Sequence, residues 1–262
     1  MEKQTAMFRH LGRMEYKAAW DYQEQLLQEN LRLKAERFRL QEESSALPVH
    51  GEAATAATSA VSRPTLAEPL PGTRHYLLFV EHPPVFTLGK SGKMEHVLVS
   101  EEELAARGIG FYPTNRGGDI TFHGPGQIVG YPILDLERMY TDIGRYLREL
   151  EEVIILTLDE WGVKGERSPG ETGVWIDTAV PDRARKICAM GVRCSRWVTM
   201  HGFALNVNTD LSYFEAIIPC GIRNKKVTSL QAEVGSPVAI PDVEESLKRN
   251  FEKVFGLQLV NG

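Results

Sequence analysis

Between Thr172 and Asn208 the chain carries three β-rich runs, TGVWID, KICAMGVRCS and VTMHGFALNVN, separated only by TAVPDRAR and RW. A parallel neighbour needs a crossover of a dozen or more residues, and these connectors are shorter. The three runs are therefore predicted to form an antiparallel meander.

The segments around the meander are read as helices and further strands. Tyr16, Trp20, Leu27, Leu31 and Phe38 recur among Glu, Gln, Lys and Arg, which predicts one amphipathic helix from Tyr16 to about Leu40, lying on the sheet. HYLLFVEHPPVFTLGK predicts a strand at 75–81, a turn at Pro83 and Pro84, and a second strand ending at Gly89, together an antiparallel pair. Residues 141–161 open on a capping Thr or Asp and place Ile143, Tyr146, Leu147, Leu150, Val153 and Ile154 on one helical face. A last helix fits 242–255, with Val243, Leu247, Phe251 and Phe255 on one face. The sum is an α+β layout in a single domain, 1–262. Residues 42–74, small, polar and proline-bearing, are expected to be a mobile surface insertion without function.

Composition narrows the classes. A chain of 262 residues, 42% hydrophobic, supplies a real core, and 30 basic against 35 acidic residues offer no bulk attraction for nucleic acid or anionic lipid. No apolar stretch approaches the ~18 residues of a membrane span, and MEKQTAMFRHLGRMEY lacks the apolar run of a signal peptide. A cytoplasmic protein with no nucleic-acid or membrane partner is expected. Cys188, Cys194 and Cys220 form an odd set, so a disulfide framework is not expected. A zinc site from Cys188, Cys194 and a histidine has only a C-x5-C spacing behind it, and no metal or cofactor is expected. Neither G-x-x-x-x-G-K-[ST] nor a strand-to-helix G-x-G-x-x-G occurs, so nucleotide use has no motif.

Three stretches carry chemistry. In RGGDITFHGPGQ, residues 116–127, Gly117 and Gly118 let a ligand approach main chain, and GPG fixes a tight turn after His123. Strand alternation sets Ile120 and Phe122 on one face and Asp119, Thr121 and His123 on the other. A structural double turn holding His123 by hydrogen bonds accounts for the same residues. In RKICAMGVRC, alternation puts Lys186, Cys188, Met190 and Val192 on one face. Lys186 is either an edge gatekeeper or a partly desolvated lysine at the end of a buried strand. In IIPCGIRNKKVTSL, Cys220 sits between Pro219 and Gly221 with Arg223, Lys225 and Lys226 close behind, an arrangement that favours a thiolate. Nucleophile and inert loop thiol both remain open for Cys220 on this ground.

RGGDITFHGPGQIVGYPILDL, KICAMGVRCSRWVTMHGFALNVN and IIPCGI…VTSL, in that order, resemble the signature blocks of lipoyl(octanoyl) transferases, and FVEHPPVFTLGKSG resembles their strand-turn-strand entry. The resemblance spans about residues 75–232. It implies a biotin/lipoate protein ligase-like fold, with a largely antiparallel or mixed sheet flanked by helices. The implied activity is transfer of an octanoyl or lipoyl group from acyl carrier protein to a specific lysine of lipoyl-accepting domains, such as those of 2-oxoacid dehydrogenases and the glycine cleavage H protein. By the same resemblance Cys220 is the acyl-thioester nucleophile and Lys186 its partner. The acyl-site contacts it implies are Arg116, Gly117, Gly118, Asp119, Ile120, Thr121, Phe122 and His123, then Ala189, Met190 and Gly191, then Gly202, Phe203 and Ala204. Backbone N–H groups of the glycine-rich loop are expected to stabilise the tetrahedral oxyanion. Arg223, Lys225 and Lys226 are expected to meet the acidic helices of a carrier protein. The rivals are an ATP-dependent lipoate or biotin ligase of the same superfamily, which needs no cysteine, and a non-catalytic module that binds acyl carrier protein.

Overall fold

A computed structural model describes residues 3–45, 72–180, 182–218 and 226–262. The strands are β1 (Thr5–Arg13), β2 (His75–Glu81), β3 (Val85–Leu88), β4 (Gly110–Pro113), β5 (Ile120–His123), β6 (Gln127–Ile133), β7 (Glu166–Arg167), β8 (Val174–Ile176), β9 (Arg185–Ser195), β10 (Val198–Asn206), β11 (Lys226–Val227) and β12 (Gln258–Asn261). The helices are α1 (Tyr16–Ser45), α2 (Glu101–Ala106), α3 (Ile143–Asp159), α4 (Leu230–Val234) and α5 (Ile240–Phe255).

The main sheet runs β12-β1-β2-β6-β10-β9-β8-β7, with β11 added beside β9. The meander forms as predicted: β8, β9 and β10 are antiparallel neighbours. The edge at β1 is parallel to both β2 and β12, which makes the sheet mixed. β3, β4 and β5 form a separate small sheet.

Pleating divides the main sheet into two apolar faces. In β2, Tyr76, Leu78 and Val80 face α1, while Leu77 and Phe79 face the cluster built with α3 and α5. α1 covers one side with Ala19, Leu26 and Leu27. Tyr146, Leu150, Val153 and Ile154 of α3 cover the other, with Val243, Leu247, Phe251 and Phe255 of α5. α3 starts on Asp142, whose side chain accepts from the Arg145 amide. A third cluster, around Phe86, Ile120, Phe122 and Phe214, ties the small sheet to the segment before residue 218.

Several expectations need correction. The strands flanking Pro83 and Pro84 do not pair: β2 joins the main sheet and β3 the small one. The two prolines have no N–H to offer a ladder there, and the turn hands the chain from one sheet to the other. α1 continues past Leu40 to Ser45, into the stretch read as an insertion, and Phe38 is 62% exposed. Its buried face instead includes Gln23 and Asn30. Asn30 bonds both the amide and the carbonyl of Arg74, and the Thr73 hydroxyl donates to Asp135, so residues 73–74 are anchored. Residues 46–71 of that stretch lie outside the described residues. β1 was not anticipated.

Candidate active site

Two of the three chemically suggestive stretches, with Val227 from the third, meet around one cavity of about 690 Å³. Its walls come from β6, β9 and β10 of the main sheet and from the loop before β5. Of residues 116–123, 189–191 and 202–204, all line it except Phe122. The Phe122 ring points away and stacks on Tyr213 at 4.4 Å within the third cluster.

The glycine-rich loop is fastened from inside. Arg116 is buried, and its guanidinium donates to the Thr87 carbonyl at 2.6 Å, to the Thr87 hydroxyl at 2.9 Å and to the Gly117 carbonyl at 3.0 Å. Gly118 takes φ +83°, a conformation most side chains avoid. The Gly117 amide donates to Val192 at 2.9 Å, so it serves loop attachment and not the oxyanion expected of it. Asp119 reaches His96 Nδ1 at 2.7 Å.

His123 is held at both ring nitrogens. Its Nδ1 lies 2.8 Å from Gln127 Oε1, and its Nε2 lies 3.3 Å from the Thr87 hydroxyl. Gln127 donates from its amide nitrogen to Phe122 and Asn206, so its oxygen faces His123 and the ring proton sits on Nδ1. Burial, with the nearby His82 and Arg116, holds the His123 pKa well below the usual histidine value. Such a ring is neutral and committed at both ends, which suits positioning and not proton shuttling. Gln127 extends the line to Asn206, whose amide donates to the Thr228 carbonyl at 3.0 Å.

His201 and Tyr16 on the same wall are also uncharged. Burial and Arg116 bring His201 down to about 3, and burial pushes Tyr16 up to about 12. Tyr16 stacks on His123 at 5.9 Å with planes 10° apart. His201 holds φ +59° inside β10, its Nε2 2.8 Å from Asn115 and its amide donating to Gln23. Tyr16, His96, Tyr131, Asn206 and His201 line the cavity but were not singled out from the sequence. His201 stands directly before the GFA block and was the most legible of them.

Lys186 lines the cavity, its ammonium 3.3 Å from the Thr172 carbonyl and 4.5 Å from the Trp175 ring centre. A bulge explains how it leaves the core. Val174 pairs with Cys188 and Trp175 with Lys186, so Ile187 is the extra residue on β9. Ile187 and Cys188 are both buried in the core, whereas simple alternation had put Lys186 and Cys188 on one face. Cys188 is therefore inert, its thiol pKa raised by burial. Cys188 and Cys194 stand six residues apart on one strand, roughly 20 Å, too far to share a zinc ion.

Cys220, Arg223 and Lys225 lie outside the described residues. The flanks are described: the Ile218 amide donates to the His96 carbonyl at 2.8 Å, and β11 lies parallel to β9 with Val227 opposite Lys186. Lys226 is exposed, and its ammonium reaches the Asp182 carbonyl at 3.2 Å.

Residues 60–252 match the lipoyl protein ligase A/B catalytic domain. The octanoyltransferase of Christiangramia forsetii is 54% identical over 252 residues, 96% of either chain. That of Flavobacterium psychrophilum is 51% identical over 257 residues, 98% of this chain and 99% of its own. The chain belongs to the octanoyltransferase family. Among solved structures, an archaeal bipartite lipoate protein ligase from Thermoplasma acidophilum, studied with its E2 lipoyl domain, superposes with a TM-score of 0.63 at 16% identity, covering 99% of this chain and 87% of that one. Lipoate-protein ligase A bound with ATP gives 0.57 at 20% identity, over 73% and 76%. These likenesses establish the biotin/lipoate protein ligase-like fold for this octanoyltransferase. No helix among the described residues is long and apolar enough to cross a membrane.

Proposed function

We propose that this octanoyltransferase moves its acyl group from acyl carrier protein to a specific lysine of a lipoyl-accepting domain through a thioester on Cys220, with Lys186 as proton partner. One observation carries the reading: both ends of the segment bearing Cys220 are fastened at the cavity that Lys186 lines. The chain departs at Ile218 beside His96 and returns at Val227 opposite Lys186, and His96, Lys186 and Val227 all face the cavity. Cys220 follows Ile218 by two residues, a reach of at most about 7 Å.

The chemistry runs in two exchanges. The Cys220 thiolate attacks the donor thioester carbonyl, the tetrahedral intermediate expels the carrier's thiolate, and the acyl group rests on sulfur at little cost in free energy. The acceptor amine then attacks the same carbonyl, the Cys220 sulfur leaves, and an amide replaces the thioester. Lys186 takes the thiol proton in the first exchange and passes it to the departing carrier thiolate, then takes the amine proton in the second and returns it to the Cys220 sulfur. The acyl chain lies in the cavity that the loop at 116–119, β9 and β10 line together. Residues 116–123, 189–191 and 202–204 are its proposed contacts, Phe122 acting through packing. The acceptors fitting this reading are lipoyl domains of 2-oxoacid dehydrogenases and the glycine cleavage H protein, and Lys225 and Lys226 with Arg223 are the proposed dock for an acidic carrier.

The test is transfer without ATP. Octanoyl-carrier protein and an apo lipoyl domain should yield octanoylated domain in the presence of this protein alone. Product only from free octanoate and ATP would assign a ligase instead.

A further inference from the structure

Glu151 is a fully buried carboxylate on α3, outside every motif discussed so far. Its Oε1 accepts the Gly173 amide at 2.9 Å, while Oε2 meets Arg148 at 2.7 Å and Arg167 at 3.2 Å. A buried carboxylate survives when its charge is paired and its lone pairs are used, and here both oxygens are occupied. The bond to Gly173 is the informative one. Gly173 holds φ +113°, and a Cβ on it would lie 2.5 Å from the Cys188 carbonyl, so only glycine fits between α3 and β9. The same Cβ would lie 3.6 Å from Lys186 Cε, so the Lys186 stem runs past this glycine. The residue before it, Thr172, supplies the carbonyl that faces the Lys186 ammonium at 3.3 Å.

We infer that Glu151 is a positioning residue for Lys186, acting through the Gly173 amide and the Thr172 carbonyl. This rests on the reading of Lys186 as the proton partner. The carboxylate pins the main chain at Gly173 to α3, and the peptide joining Thr172 to Gly173 then presents its carbonyl at a fixed place beside the ammonium. Glutamine cannot replace it. With its oxygen toward Gly173 it turns an NH2 group on the two guanidinium groups, and flipped over it loses the Gly173 bond. Aspartate keeps the charge between the arginines but is one methylene short of the Gly173 amide. Neither variant touches the acyl site, so the expected loss falls on the chemical steps and not on donor binding.

The test is a double-mutant cycle on octanoyl transfer between octanoyl-carrier protein and an apo lipoyl domain, using the full chain. Glu151→Gln is expected to lower kcat about tenfold or more, with KM for the donor changed less than about twofold. Glu151→Asp, which keeps the buried ion pairs, is expected to fold as the parent and to show the same kcat-selective loss; it carries the test if the glutamine variant fails to fold. In a Lys186→Ala background both substitutions are expected to have almost no further effect. Full kcat in Glu151→Asp, or an undiminished loss in the Lys186→Ala background, would overturn the inference. Wild-type transfer by Lys186→Ala alone would instead remove the reading of Lys186 on which it stands.

Discussion

Gly191→Ala tests whether the acyl wall depends on bare main chain. Gly191 pairs with Gly202 across β9 and β10 and faces the loop at 116–118. A Cβ at 191 would sit 2.6 Å from the Gly117 carbonyl oxygen and 3.2 Å from both Cδ and Nη1 of Arg116. The oxygen is backbone, and its peptide neighbour is tied to Val192 by the 2.9 Å bond from Gly117, so the contact is relieved only by moving the loop off β9. Overpacking of this kind costs about 1–3 kcal/mol. Gly191 has no positive φ, so alanine also gains roughly 0.4–1 kcal/mol by restricting the unfolded chain. The net expectation is a loss of about 1–2 kcal/mol, read as a lowered urea midpoint at unchanged slope. Displacing the loop also moves the proposed acyl contacts, and kcat/KM for octanoyl-carrier protein should fall about tenfold or more. The sign decides: a variant as stable as the parent or more so, with unchanged kinetics, would show that the loop does not lean on β9 as described.

Three other outcomes follow from the structure. Burial holds His82 down near 4, and burial with neighbouring arginines holds His75 near 4 and His201 near 3, so the unfolded chain binds protons below about 6.5 that the folded chain refuses. Stability should be whole above pH 6.5 and decline as pH falls toward 4, by up to about 3 kcal/mol for a single such histidine, and a urea midpoint flat between pH 7 and 5 would contradict this. Ser100 caps α2 in a reciprocal capping box with Glu103, and Ser100→Ala should cost about 1 kcal/mol in urea denaturation without altering kcat. Reversing the charge of Lys226 should raise KM for the carrier protein while leaving turnover of a small octanoyl thioester intact, and equal loss on both substrates would remove the docking role.

What was legible in the sequence was what local pattern dictates. The runs from Val174 to Asn206 were joined too closely to be anything but antiparallel, and α3 and α5 carried a complete apolar stripe with a cap or a proline at the start. The glycines, a histidine and a lysine stood out of place in strands that otherwise bury apolar side chains, but the cavity lining could be named only through the resemblance of their blocks to a known family. What failed depends on partners distant in sequence. β1, TAMFRHLGR, has no clean alternation because it lies toward the sheet edge, and it is completed by β12 from the far end of the chain. The prolines at 83 and 84 announced a turn, but whether the next strand pairs back or enters another sheet is decided by β4 and β5. The bulge at Ile187 broke the alternation on which the face of Lys186 was judged. Glu151 is invisible in sequence, since a glutamate on an amphipathic helix is normally a solvated residue.

Intact-mass analysis with peptide mapping tests for a covalent acyl-enzyme at Cys220. After incubation with octanoyl-carrier protein, with no ATP and no acceptor, one octanoyl adduct is expected on Cys220, lost when apo lipoyl domain is added and never formed in Cys220→Ala. An adduct-free protein that still octanoylates the domain, or full transfer by Cys220→Ala, would contradict it.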